Sequence, residues 1–160
     1  QKSLDEWVKK QKVKIKKIKI NDLNEFTKKK LKFDFLFIDT QASIKKTKLE
    51  EILRITDIVI IPSSGTYLDL NATRMFLKRI NSYKKKNIKV LTVLNRIRFS
   101  NKIEDVIIKC ESVLREKISA WFPMSKMFDD QMSIGSTILK SKYAQTQIVR
   151  EQLLNIINKF

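Results

Sequence analysis

The stretch Phe33-Asp34-Phe35-Leu36-Phe37-Ile38-Asp39-Thr40 sets the reading of this chain. An apolar run long enough to cross a sheet stops abruptly at a carboxylate and a hydroxyl. Two later runs end in the same manner: Ile58-Val59-Ile60-Ile61 leads into Pro62-Ser63-Ser64-Gly65, and Val90-Leu91-Thr92-Val93-Leu94 leads into Asn95-Arg96. Continuous apolar strands mark a parallel sheet covered on both faces, because alternation disappears when neither face meets water. Ligands of such sheets bind outside the carboxyl ends of the strands, so three polar termini at one edge predict one shared site.

Working outward, Leu4, Trp7 and Val8 predict a short helix up to about Gln11. Val13, Ile15, Ile18 and Ile20, interleaved with lysines, predict an edge strand. Asp22 is a suitable cap for a helix to about Leu31. Beyond the Phe33–Thr40 strand, Thr47 is expected to cap a helix carrying Leu49, Ile52 and Leu53. Strand 57–62 follows, then a helix opened by Thr66 or Asp69 with Leu68, Ala72, Phe76, Ile80 and Tyr83 at helical spacing. Strand 88–94 comes next. Strands alternating with helices are the βαβ signature, so the fold class is α/β with a mostly parallel sheet. A helix from about Lys102 to Ile118 holds Cys110 on its apolar stripe, which makes that thiol a small core group rather than a nucleophile. Trp121, Phe122 and Pro123 suit a short strand or turn, and a last helix is expected over 137–160.

Composition narrows the chemistry. The chain has 160 residues, 34 Lys and Arg against 17 Asp and Glu, a net charge of +17, no histidine and one cysteine. That length suits one α/β domain over 1–160 that needs no disulfide or metal to fold. Without histidine, His-based triads and most zinc sites are excluded. With one cysteine and no signal-type segment near Gln1, a reducing, cytoplasmic setting is expected. Only two glycines, Gly65 and Gly135, are present, and the chain opens at Gln1 without an initiator Met. A domain of this architecture normally uses glycine-rich turns after its first strand, so a segment ahead of Gln1 is expected to have been lost or excluded.

A charge this positive attracts polyanions. Between Asp69 and Glu104 there is no carboxylate, while Arg74, Lys78, Arg79, Lys84, Lys85, Lys86, Lys89, Arg96, Arg98 and Lys102 all fall there. Aromatic residues are not interleaved with these cations, so contact with a duplex backbone ranks above single-strand stacking. An anionic membrane ranks lower, since the last helix has only Lys142, Arg150 and Lys159 for its polar face.

Taken in order, these segments resemble the ParA/MinD-type partition ATPases of the deviant P-loop class. Gln1-Lys2-Ser3 with Trp7 is similar to the segment after that family's second acidic strand. Phe33 to Thr40 resembles its Walker B strand, and Thr56-Asp57-Ile58-Val59-Ile60-Ile61-Pro62 its Ala-Asp-hydrophobic-Pro segment. Tyr67-Leu68-Asp69-Leu70 resembles the Asp-Leu that follows, Val93-Leu94-Asn95-Arg96 the strand end near adenine, and Met132-Ser133-Ile134-Gly135 the closing Gly segment. The resemblance implies ATP and Mg²⁺ as cofactors of a full-length protein, with Asp39 holding Mg²⁺ indirectly and Thr40 and Gln41 in the catalytic switch. It also implies Asn95 and Arg96 at the adenine, a homodimer, a partition adaptor as partner, and non-specific duplex DNA held by Arg74, Lys78, Arg79, Lys84, Lys85, Lys86, Arg96, Arg98 and Lys102.

Two departures stand out. Gln41 and Ala42 occupy the place of the usual Pro-Gly, and no Gly-x-x-x-x-Gly-Lys-Ser/Thr occurs in the 160 residues. The chain by itself is therefore expected not to hydrolyse ATP. The alternative expectation is a non-catalytic basic module that binds DNA or a partner on a degenerate version of the fold.

Overall fold

The computed structural model describes residues 36–41, 43–83, 88–98 and 102–159. Helix α1 (Lys46–Leu53) precedes strand β1 (Ile58–Ser63), helix α2 (Tyr67–Ser82) and strand β2 (Lys89–Ile97). Helix α3 (Ile103–Leu114), strand β3 (Ile118–Pro123) and helix α4 (Lys126–Ser133) follow. A 3-10 turn (Ile138–Lys140) and helix α5 (Thr146–Ile157) complete the order. The strands form a parallel sheet in the order β1-β2-β3. This is the expected α/β architecture of a parallel sheet flanked by helices.

Register explains the two-sided burial. Ile58 pairs with Lys89 and Ser63 with Leu94, so β1 and β2 start level and β2 runs three residues further, to Ile97. On one face Ile61, Leu94 and Ile97 pack with Leu70, Leu77 and Ile80 of α2 and with Cys110 and Leu114 of α3. On the other, Leu91, Val93 and Ala120 pack with Ile156 of α5. Each fully buried aliphatic side chain here contributes about 1.5–3 kcal/mol. Leu49 and Leu53 of α1 make a third cluster with Ile88, against which Val59 and Phe76 pack. Alternate residues of β2 thus serve opposite cores, and its sequence has no polar face to show.

Several expectations need correction. Leu36 to Gln41 is not a strand, and residues 33–35 lie outside the described residues. Phe37 is 80% exposed and Leu36 45%, so this part of the run is not buried between layers. An apolar run shows only that burial would be favourable. A strand also needs a ladder partner, and β1 to β3 form the sheet among the described residues. The N-terminal helix, the lysine-rich edge strand and the helix after Asp22 also fall outside the described residues.

Helix α1 starts one residue before Thr47, behind Lys45, which makes no side-chain cap. Strand β3 begins at Ile118, earlier than Trp121. The helix expected over 137–160 is broken: Ser141 accepts a bond from the amide of Tyr143 (3.2 Å), and α5 starts at Thr146. A hydroxyl bonding to a nearby amide competes with helix continuation in this way. Helix α4, capped by Ser125, appears where no helix was expected.

Candidate functional site

Three strand ends meet at the carboxyl edge of the sheet. After β1, the chain must turn sharply into α2, and Gly65 makes the turn with φ +75°. A Cβ at Gly65 would lie 3.1 Å from Ile97 Cδ1 and 3.6 Å from the Cys110 sulfur, so packing as well as backbone conformation demands glycine. Thr66 caps α2 by accepting from the Asp69 amide (3.4 Å). The Asp69 carboxylate turns back to accept from Ser63 Oγ (3.2 Å) and from the Ser64 amide. That amide bond, opposed by partial burial and helped by the serine hydroxyls, holds the Asp69 carboxyl below its ordinary range.

The end of β2 is built differently. Asn95 and Arg96 form an irregularity between Leu94 and Ile97, while the partner strand advances only from Trp121 to Pro123. Arg96 sits in the left-handed region at φ 59°, its amide donating to Asn95 Oδ1 (3.0 Å). Both side chains are exposed. Ile97 is buried again, and its carbonyl accepts from the Met124 amide (2.7 Å), which ties this end to the one after β3. There Ser125 donates to Gln145 Oε1 (3.0 Å) while accepting from the Met127 amide.

The residues expected to act together are only partly assembled. Asn95 and Arg96 reach the same edge as Ser63 to Thr66. Asp39, Thr40 and Gln41 lie exposed in the coil 36–41, and among the described residues no hydrogen bond or ion pair joins Asp39 to the strand ends. Of the cations, Lys78, Arg96, Arg98 and Lys102 are exposed and Arg74 is half-buried. Arg79 is committed elsewhere, since both its terminal nitrogens donate to the Ile44 carbonyl at 3.3 Å. Lys84, Lys85 and Lys86 lie outside the described residues. Sequence reading treated Asp69 as a helix cap and missed its closure of the Ser63–Ser64 turn; the Ser-Ser-Gly-Thr-x-x-Asp spacing was the available signal.

This edge fits a nucleotide in part. Gly65 packs on apolar side chains rather than cradling phosphate, and the Ser64 amide already serves a carboxylate. The turn after β1 therefore offers a phosphate no free backbone donor at Ser64. Among the described residues no cluster of three or more His, Cys, Asp or Glu could hold a metal, and no helix is long and apolar enough to cross a membrane. What the edge does offer is the exposed Asn95 amide and the Arg96 cation at the end of β2.

No family model matches this chain, and no curated protein does. Among solved structures, the MinD cell division protein of Aquifex aeolicus is similar in fold, with a TM-score of 0.53 at 14% identity over 64% of this chain. The chain spans 44% of that protein's length, and the likeness is one of fold.

Proposed function

We propose that this chain is a ParA/MinD-like domain that holds duplex DNA without sequence preference, serving a protein that partitions plasmids or chromosomes. The single observation that supports the DNA reading is the block from Leu70 to Ile103, which has cations and no carboxylate. Lys78, Arg96 and Arg98 from that block are exposed. Asp69, at its border, is turned inward to Ser63 and Ser64. Nothing in the block thus repels phosphate, and flexible lysines and arginines give contact that ignores base identity. In the full-length parent this reading includes ATP-dependent homodimerisation and an adaptor protein.

Fluorescence anisotropy with a labelled duplex tests it. Affinity falls with salt at a log–log slope of about −3 to −5, the value for three to five phosphate contacts. The Lys78→Ala, Arg98→Ala double variant reduces that slope by about 2, equally for unrelated DNA sequences. Salt-insensitive binding, or none at low salt, overturns the reading.

A second reading keeps the fold and discards nucleotide chemistry, leaving a basic module that binds DNA or a partner. The bond from the Ser64 amide to Asp69 favours it, because it leaves the turn after β1 no free backbone donor for an anion at that position. Adding ATP and Mg²⁺ to the same titration of a full-length parent that carries the phosphate loop separates the two. Tighter DNA binding with dimer formation supports the ATPase reading, and an unchanged isotherm supports the basic module.

A further inference from the structure

Away from the strand ends, the segment between α4 and α5 folds into an open groove of about 510 Å³ lined by Gln131, Ile134, Ser136, Lys140, Lys142 and Tyr143. Its shape is fixed by local bonds. Gly135 turns the chain at φ 66°, its amide donating to Met132 O (3.1 Å), and the Ser136 amide donates to Gln131 O (2.8 Å). The opposite wall is held by the Ser141 amide on Ile138 O (3.0 Å) and by Arg150, whose guanidinium donates to the Leu139 carbonyl. The Tyr143 hydroxyl donates to Asp130, a carboxylate that is not among the lining residues.

The lining combines two chemistries. Ile134 is 69% exposed and Tyr143 43%, an apolar surface that water covers at a cost. Lys140 and Lys142 contribute two cations, and no lining residue is an acid. We propose that this groove docks an acidic segment of a partner protein, with an apolar side chain on Ile134 and Tyr143 and neighbouring carboxylates facing Lys140 and Lys142.

Other occupants fit less well. A second copy carries the same +17 charge and opposes the lysines with more cations. A flat bilayer meets the rim rather than the floor of a concave surface. A small anion cannot use Ile134, and a groove open along its length leaves a small ligand half-solvated, whereas an extended segment runs through it. None of the lining residues belongs to the DNA block, so this inference stands apart from the DNA reading.

The test uses the whole chain and a short fluorescein-labelled peptide of Glu-Glu-Leu repeats. Amide NMR shifts concentrate in residues 131–143 on peptide addition. In anisotropy titrations Ile134→Ser weakens binding about tenfold, the effect of losing one buried aliphatic contact. The Lys140→Ala, Lys142→Ala double variant weakens it about fivefold, the effect of two exposed ion pairs. The control double variant Lys45→Ala, Lys109→Ala, elsewhere on the surface, stays within about twofold. Ile134 is exposed, so its serine variant keeps the wild-type melting curve. The proposal is overturned if the control pair costs as much as the groove pair, if Ile134→Ser has no effect, or if the shifts scatter over the surface. It is overturned equally if inorganic phosphate or phosphatidylserine vesicles reproduce the 131–143 shifts as tightly as the peptide does.

Discussion

The turn after β1 and the bulge that ends β2 are neighbours at one sheet edge, yet they treat their polar groups in opposite ways. Ser63, Ser64 and Thr66 are satisfied from within by Asp69, and Gly65 seals the turn against Ile97. Asn95 and Arg96 are exposed, and Arg96 is held in a conformation that costs an ordinary L-residue about 1–2 kcal/mol. The difference teaches that carboxyl-end position alone does not make a binding group. One end uses its donors for folding, and the other keeps strain and charge facing solvent, the combination associated with ligand contact.

The contrast breaks most severely at Gly65. Gly65→Ala adds a Cβ at left-handed φ and against Ile97, and lowers the unfolding free energy by about 2 kcal/mol in a urea titration. Opening the same turn chemically has a smaller effect. Asp69→Asn removes a charge-assisted acceptor and costs about 1 kcal/mol near neutral pH. Because the Asp69 pKa is lowered in the folded chain, its stabilisation is complete above the ordinary carboxylate value, about 4, and fades as pH falls through the lowered folded value. The stability gap between wild type and Asp69→Asn therefore narrows on acidification below about pH 4. A gap that stays constant down to the acid transition breaks this account of the turn.

The smallest effect sharpens the comparison from the open side. Asn95→Ala leaves the Arg96 amide without its side-chain acceptor and costs about 0.5–1 kcal/mol. Arg96→Gly relieves the left-handed strain and adds about 0.5 kcal/mol of stability, while weakening DNA binding. If Arg96→Gly destabilises the chain instead, the bulge is held by contacts of the arginine side chain rather than tolerated in spite of it.

The sequence pattern was informative where both its neighbours were present. Ile58–Ile61 and Val90–Leu94 read as parallel strands and are so, but only the second is covered on both faces, by α2 and α3 on one side and α5 on the other; in the first, Ile61 is buried while Ile60 is 43% exposed. The same pattern in Leu36–Thr40 failed to specify a strand, since a run of apolar residues carries no information about who pairs with it. The strand β2 continues to Ile97 although Asn95 looks like a turn former: burial of Ile97 and its bond to Met124 override the local preference. Strand β3 was half hidden because Lys117 precedes it and Ser119 interrupts its apolar run.

At the site level, Asn95 and Arg96 were legible as a polar strand end. The Ile134–Tyr143 groove was not, because it is shaped by a turn between two helices, and Tyr143 falls by spacing onto the apolar stripe of a single long helix. The local bond to Ser141 and the longer-range bond from Arg150 mark where the helix is broken.

The grip of Arg79 on the Ile44 carbonyl acts as the fixed end of a leash. Five residue steps separate Ile44 from Asp39, so covalent geometry keeps the Asp39 backbone within about 18 Å of Ile44, which is held to the last turns of α2. Any chemistry Asp39 takes part in is thereby localised to one flank of the molecule, and Arg79→Ala would lengthen its range without touching the acid itself.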